Sequence, residues 1–219
     1  MSDATAILDN DIEPGDAAEN ITSKYGRLFV VSGPSGVGKG TVIKQAMSTP
    51  VGEKAIVKCV TATTRQPRPG EINNVNYHFF THSEFQEKID SGYFLEFATY
   101  NGNMYGTPLE NVDRERLKGN DVLLEIEVQG GLAVKTIVPD SILTFIAPPS
   151  WNALADRLKG RNTETPEVVE RRLNIARTEM KTIDQYHYCI INDDLDKAVE
   201  VFRAILIAER HKVVSRPII

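Results

Sequence analysis

The sequence predicts an α/β protein with a mainly parallel sheet, and three observations support this. Short apolar runs, typical of strands buried on both faces, alternate with segments of helical length. A glycine-rich loop joins the first apolar run to the first helical segment. The chain has 219 residues, of which 41% are hydrophobic and 25% charged, which suits one globular core. Strands that alternate with helices favour parallel pairing through right-handed crossovers.

The apolar runs and the helix signals predict the elements in order. Four runs are predicted to be buried strands, namely 28–32, 122–126, 142–146 and 188–191. A helical segment at 42–47 follows the glycine-rich loop. Ser83 and Gln86 predict a capping box for a second helix that ends at Gly92. Thr107, Pro108 and Glu110 predict the start of a third, which ends at Gly119.

Two stretches interrupt this alternation. Residues 61–107 are rich in Thr, Arg, Gly, Tyr and Phe, and their alternation predicts a small antiparallel insert. Residues 157–177 predict an arginine-dense helical pair around a polar turn at 161–165. Taken alone, that charge pattern is typical of a solvated helix with salt bridges.

The formal net charge of −5 arises entirely from the first 25 residues, which contain six carboxylates and a single cation, Lys24. This segment predicts a disordered, acidic tail, followed by a neutral globular part at 26–219. A neutral globular part argues against a protein that coats nucleic acid. No signal-peptide pattern or membrane-length apolar run occurs, and Cys59 and Cys189 are isolated, which favours reduced thiols. We therefore expect a cytoplasmic enzyme or binding protein without membrane or nucleic-acid partners; the oligomeric state is not indicated.

The glycine-rich loop has the spacing of a phosphate-binding loop: glycine, four residues, then glycine and lysine between a strand and a helix. Glycines let backbone N–H groups surround phosphate oxygens, the helix N-terminus adds partial positive charge, and a lysine supplies a mobile cation. The predicted ATP-binding residues here are Gly33, Pro34, Ser35, Gly36, Val37, Gly38, Lys39, Gly40 and Thr41.

Gly40 occupies the position at which such loops usually carry a serine or threonine that reaches the metal ion. The hydroxyl comes one residue later, at Thr41. We therefore expect Mg²⁺ to accompany ATP through bound water, and no residue is assigned as a metal ligand. The loop alone does not identify the reaction. The Asp-x-x-Gly and Asn-Lys-x-Asp patterns of GTPase switches are absent from the sequence, and the size favours a small nucleotide kinase.

A second cluster begins at Thr61. Arg65 and Arg68 are three residues apart within a segment stiffened by proline and glycine, so they can present guanidinium groups to a dianionic phosphate. Tyr77 and Tyr105 could add hydroxyl donors. Glu71, in the same segment, is better suited to orient an arginine than to contact a phosphate.

With these motifs the chain resembles guanylate kinases over residues 26–212. The matching motifs are TTRQPRPGE at 63–71, FLE at 94–96, YGT at 105–107, QG at 129–130, APPS at 147–150, RRL at 171–173 and NDD at 192–194. The resemblance implies a P-loop NTPase-type parallel core with flanking helices, a small mixed GMP-binding insert at 61–107 and a helical arginine-rich lid at 157–172. The core is then 26–60, 108–156 and 173–219. The implied reaction is γ-phosphoryl transfer from ATP to GMP, and more weakly to dGMP, without a covalent enzyme intermediate.

The resemblance also implies roles for individual residues. The charge-neutralising catalytic set is Lys39, Arg157, Arg161 and Arg172, and Asn192 lies near the ATP base. The GMP-phosphate clamp is Arg65, Arg68, Tyr77 and Tyr105, with Glu71 in support. The guanine-binding residues are Thr61, Glu96, Thr107, Glu125 and Glu127, of which Glu127 stands where aspartate is common. An ionised Glu96 can accept from N1 and N2 of guanine, whereas adenine presents an acceptor at N1.

Three alternatives remain at this point. Non-catalytic guanylate-kinase-like modules of scaffold proteins typically lose the phosphate loop and its lysine, whereas Lys39 is present here. The Gly-Lys-Gly-Thr sequence at 38–41 permits a kinase for another monophosphate, against which Glu96 argues. An RNA-binding protein is disfavoured by the neutral globular part.

Overall fold

A computed structural model of the chain describes residues 25–52, 55–100, 102–160 and 165–212. The predicted acidic tail therefore lies outside the described residues except for Tyr25, and so does most of the polar turn at 161–165. The strands are β1 Leu28–Ser32, β2 Ile56–Lys58, β3 Ala62–Thr63, β4 His78–Phe79, β5 Phe94–Tyr100, β6 Asn103–Pro108, β7 Asp121–Glu125, β8 Ile142–Ala147 and β9 Tyr188–Ile191. The α-helices are α1 Lys39–Ala46, α2 His82–Asp90, α3 Leu109–Leu117, α4 Val128–Ile137, α5 Trp151–Lys159, α6 Pro166–Met180 and α7 Leu195–Arg210.

The main sheet has five parallel strands in the order β2-β7-β1-β8-β9, which confirms the predicted α/β class. Strands β1 and β9 have the predicted bounds, and β7 and β8 differ from prediction by one residue at their ends. Strand β2 was not predicted, because its three residues are only partly buried at the edge of the sheet.

A second sheet has the order β4-β3-β6-β5 and is built from residues of the predicted insert. The antiparallel prediction is right for β3–β6 and β5–β6 but wrong for β3–β4, which pair in parallel. In the long hairpin of β5 and β6, Glu96 faces Thr107 across the two strands.

Both predicted capping boxes are displaced. Helix α2 begins earlier than predicted, with Thr81 as its N-cap and Glu84 completing the box. Helix α3 has Pro108 as its N-cap, and no side chain caps it. Thr107 belongs to β6 instead, and its hydroxyl donates to the Glu96 carboxylate. The predicted glycine stops are confirmed, since Gly92 and Gly119 follow their helices with φ of 70° and 81°.

Side chains of β1 alternate between two apolar cores, one on each face of the sheet. Phe29 and Val31 belong to the core that includes residues of α1 and α7, such as Phe202. Leu28 and Val30 belong to the core that includes residues of α3 and α4. Because β1 is central and fully buried, the loop that leaves its carboxyl end starts from a rigid position. No helix in the described ranges is both long and apolar enough to cross a bilayer.

A buried ion pair anchors the last helix to the amino end of the sheet. The Asp121 side chain is fully buried and accepts hydrogen bonds from the Arg210 Nε at 2.6 Å and from the Arg27 backbone N–H at 2.8 Å. Arg210 also donates to the Val51 carbonyl. One carboxylate thus joins the starts of β1 and β7 to the end of α7.

Asp121→Ala is expected to destabilise the protein by about 3–5 kcal/mol, because it leaves the Arg210 guanidinium buried beside a cavity. Urea denaturation monitored by circular dichroism measures the loss. Arg114→Ala, which removes an exposed pair with Glu115, is the control and should change stability by less than about 1 kcal/mol. Equal effects of the two substitutions would contradict the anchoring role.

Candidate active site

The phosphate loop lies at the carboxyl end of the parallel sheet, between β1 and α1. Gly33, Gly36 and Gly38 have φ of 144°, 89° and 96°, a region that favours glycine. A Cβ atom at Gly33 would lie 2.1 Å from the Ile146 carbonyl oxygen, and one at Gly38 would lie 2.7 Å from Asn192 Nδ2. Both the backbone conformation and the close neighbours therefore require glycine here.

Lys39, the first residue of α1, folds back over this loop. Its Nζ donates to the Gly33 carbonyl at 2.5 Å and to the Pro34 carbonyl at 3.3 Å. The Glu127 carboxylate approaches the same ammonium at 4.0 Å. The Lys39 side chain is only 10% exposed, so its charge is held inside the loop by carbonyl oxygens.

Three further polar residues from the predicted set contact the loop. The Val37 carbonyl accepts from Asn192 Nδ2 at 2.8 Å and from Arg157 Nη1 at 3.3 Å. Arg157 Nη2 also donates to the Asn192 carbonyl at 2.9 Å. Arg172 Nη2 donates to Ser35 Oγ at 2.5 Å. Arg161, the fourth member of the predicted catalytic set, lies outside the described residues.

Arg65 in the insert is held by Glu71, as the sequence predicted. Arg65 Nη2 lies 2.9 and 3.0 Å from the two Glu71 carboxylate oxygens, and the Arg68 N–H donates to Glu71 at 2.7 Å. Burial opposes ionisation of Glu71, but these hydrogen bonds outweigh it and lower its pKa. The Arg65 guanidinium also lies 5.5 Å from the centre of the Tyr77 ring. The Arg65 guanidinium is thus oriented by neighbouring residues of the protein itself.

Glu96 lines a second, smaller pocket and is supported there by Thr107. Thr107 Oγ1 donates to Glu96 Oε1 at 2.7 Å, and Glu96 is only 6% exposed. Burial raises the pKa of the Glu96 carboxyl, and the Thr107 hydrogen bond partly offsets this. The Thr107 hydroxyl therefore orients a buried carboxylate instead of capping α3.

The phosphate loop and this pocket open into one cleft. The larger part has a volume of about 570 Å³ and is lined by five cationic side chains and two carboxylates: Lys39, Lys44, Arg65, Arg68, Arg172, Glu125 and Glu127. The smaller part, of about 40 Å³, is lined by Thr61, Glu96 and Gly130 among others. Both parts share the residues Tyr77, Tyr100, Tyr105, Glu125 and Glu127. The excess of positive charge suits phosphate groups, and the carboxylate pocket suits a ligand rich in donors.

Most predicted binding residues line this cleft, but a few stand behind it. Seven of the described ones line neither part. Gly33, Pro34 and Val37 belong to the phosphate loop itself, whereas Glu71, Thr107, Arg157 and Asn192 contact residues of the site or the Val37 carbonyl. The structure thus brings the predicted ATP and GMP residues together, with the latter four in supporting positions.

Sequence reasoning missed three polar lining residues, and periodicity could have found two of them. Lys44 lies four residues after Gly40 on α1 and so shares its helix face. Tyr100 lies four residues after Glu96 on β5 and so shares its strand face. Asn103 gave no such signal, because it lies beyond the turn between β5 and β6.

Glu179 on α6 was also missed, although it lies two helical turns after Arg172. It is 9% exposed, and its Oε2 has no hydrogen-bond partner among the described residues. Burial and, to a smaller extent, the nearby Glu127 raise its pKa to about 7, and Lys39 opposes the rise. This carboxyl group is therefore about half protonated at pH 7.

The fold and the cleft together define a P-loop protein that binds two phosphate-bearing ligands side by side. The family model for guanylate kinase matches residues 25–209. The guanylate kinases of Streptococcus agalactiae serotype III and Streptococcus pyogenes serotype M3 are each 46% identical over 191 residues, covering 87% of this chain and 90% of theirs. The crystal structure of guanylate kinase from Anaplasma phagocytophilum matches with a TM-score of 0.70 and 30% identity, covering 88% of this chain and 90% of that one. The chain belongs to the guanylate kinase family.

Glu179→Gln is expected to flatten the pH dependence of stability. Between pH 4.5 and 7 the folded protein keeps the Glu179 proton that the unfolded chain has lost, so stability falls as pH rises. This fall amounts to about 2–3 kcal/mol and should be absent from the variant. Urea denaturation at pH 5, 6, 7 and 8 measures it. Glu170→Gln, at an exposed position of the same helix, should keep the parental slope, and a parental slope in Glu179→Gln would refute the assignment.

Proposed function

We propose that the protein transfers the γ-phosphoryl group of ATP to GMP, giving ADP and GDP, and that it accepts dGMP more weakly. One observation carries this proposal. A phosphate loop with its lysine and a buried carboxylate pocket open into the same cleft, with arginines between them. That arrangement suits two nucleotides whose phosphates meet while one base is bound by hydrogen-bond acceptors.

On the ATP side, we assign the triphosphate to the loop 33–41. Lys39 would leave the carbonyls of Gly33 and Pro34 for the outer phosphates, which are stronger acceptors for an ammonium group. Arg157, Arg161 and Arg172 of the lid region would complete the set that neutralises charge on the transferring group. Asn192 is placed near the ATP base, beside the loop that its amide supports.

On the GMP side, we assign the phosphate to Arg65, Arg68, Tyr77 and Tyr105. Glu71 holds the guanidinium of Arg65, which lines the cleft, so Arg65 loses little side-chain freedom when a phosphate binds. The guanine would bind Glu96 in the small pocket, with Thr61, Thr107, Glu125 and Glu127 around it.

The chemistry needs no nucleophile from the protein. An oxygen of the GMP phosphate attacks the γ-phosphorus of ATP, a new P–O bond forms, and the bond to the β-phosphate oxygen breaks as ADP leaves. The protein contributes by aligning two polyanions and by placing cations around the group in transfer. Closure of the lid region, 157–172, over the cleft would exclude water, which could otherwise accept the phosphoryl group.

Mg²⁺ is the expected cofactor with ATP, and the residues beside Gly40 fit it. A Cβ atom at Gly40 would lie 3.1 Å from Glu125 Oε1, so a carboxylate already fills the space of the missing side chain. Glu127 Oε2 has no hydrogen-bond partner in the described ranges. Such oxygen donors would hold the ion through its water shell. When bound, Mg²⁺ withdraws charge from the β- and γ-phosphates.

The same proposal assigns a role to each of three parts of the chain. The insert 61–107 would bind GMP, the lid 157–172 would complete the ATP site, and the remaining core would carry the phosphate loop. ATP and GMP are the proposed partners, in the cytoplasm and without nucleic acid.

A coupled assay of ADP release across nucleoside monophosphates tests the base assignment. With ATP and Mg²⁺ present, we expect GMP to react fastest, dGMP more slowly, and AMP and UMP with at least about 100-fold lower kcat/KM. The difference arises because Glu96 accepts from guanine donors that adenine and uracil lack. Equal rates on GMP and AMP would overturn the guanine assignment.

Lys39→Ala should lower kcat by about 10²- to 10³-fold, because a cation at the transferring phosphoryl is lost. GMP affinity, measured by calorimetry, should stay within about twofold of the parent, since Lys39 lies outside the proposed GMP clamp. Lys118→Ala, at the exposed position that follows α3, is the control. Loss of GMP binding in Lys39→Ala would contradict the division into an ATP loop and a GMP insert.

A further inference from the structure

Gly130 lies at the place where α4 meets the carboxylate of Glu96. It is the third residue of the helix, and it is buried in the wall of the small pocket. A Cβ atom on Gly130 would lie 2.6 Å from Glu96 Oε2 and 3.2 Å from Glu96 Cδ. Real Cβ atoms do not approach oxygen this closely, so any side chain here would compete with Glu96 for the same space.

Glu96 has little room to yield. Its Oε1 is fixed by the Thr107 hydroxyl at 2.7 Å, and the residue is 6% exposed. Ile126, which also lines the pocket, would lie 3.5 Å from the same added methyl group. A methyl group on Gly130 would therefore push the carboxylate out of its position and away from Thr107.

The N-terminus of α4 favours a negative charge at the position of the Glu96 carboxylate. The first intrahelical hydrogen bond of α4 runs from the Gly131 N–H to the Glu127 carbonyl, so the three preceding N–H groups have no acceptor within the helix. Glu127, the N-cap, does not cap the helix with its side chain. A negative group close to this turn is stabilised by the helix dipole, which favours the ionised form of an otherwise buried carboxyl.

We infer that Gly130 is a positioning residue for guanine recognition: its missing side chain lets Glu96 lie against the first turn of α4 with its carboxylate turned to the base. The inference rests on the proposed function and adds to it a residue of the pocket wall that acts through Glu96. Gly130 then determines how well GMP binds, while the phosphate loop and the transfer step are left unchanged.

Gly130→Ala tests this inference directly. Alanine favours a helix over glycine, which offsets part of the cost of overpacking against Glu96, so the melting temperature should fall only modestly. The KM for GMP should rise about tenfold or more, whereas the KM for ATP and kcat at saturating GMP should change by less than about twofold. Calorimetry with GMP alone should show the same loss of affinity.

Two further variants separate the proposed contact from a general disturbance of α4. Glu96→Asp shortens the side chain by one methylene, and as a single substitution it should weaken GMP binding. In the Gly130→Ala background, the same substitution should restore part of the lost affinity for GMP. Gly131→Ala adds a methyl group to the same turn, but towards Ser32 Oγ and Tyr186, and should leave the KM for GMP within about twofold.

The outcomes distinguish the inference from the function on which it rests. An unaltered KM for GMP in Gly130→Ala, or an equal rise in Gly131→Ala, would each overturn the positioning role. A parent protein that fails to phosphorylate GMP would instead overturn the proposed function.

Discussion

The turn between β1 and α1 requires glycine at several positions, and the residues around the cleft are arranged with respect to it. At Gly33 the backbone passes so close to β8 that the Ile146 carbonyl occupies the space of a side chain. At Gly38 the Asn192 amide does the same and then donates to the Val37 carbonyl. The loop is therefore supported by β8 and by the residue that follows β9.

Positive charge is the second constraint, because the cleft gathers five cationic side chains into a small volume. The described structure limits their repulsion by giving several of them internal acceptors. Lys39 is bound by loop carbonyls, Arg65 by Glu71, and Arg172 contacts Ser35. These bonds orient the side chains before a ligand binds, which lowers the entropy lost when phosphates replace the internal acceptors.

Much of the fold could be predicted from the sequence because buried parallel strands and glycine stops have strong local signatures. The strand 28–32, its loop and the ends of two helices at Gly92 and Gly119 are examples. The short edge strand β2 was missed because its apolar signal is weak. The capping prediction failed in two ways: Thr81 caps α2 in place of Ser83, and no side chain caps α3.

The residues that support the site from behind were harder to predict from the sequence than the residues that line the cleft. Thr107 matches a helix start in the sequence, yet its hydroxyl serves Glu96, and only the pairing of β5 with β6 brings the two residues together. The contact of Gly130 with Glu96 joins residues 34 positions apart on different elements. No local pattern encodes such a contact, whereas the spacing of Lys44 and Tyr100 would have been readable.

The hydrogen bonds of Arg157 bear on how the protein parts with its products. Its guanidinium binds the Val37 and Asn192 carbonyls, so a departing nucleotide does not leave an unpartnered cation behind. The same holds for Lys39 and its loop carbonyls. Lys39 and Arg157 thus each have an acceptor within the protein, so the departure of an anion from either of them does not leave a poorly solvated charge unpaired.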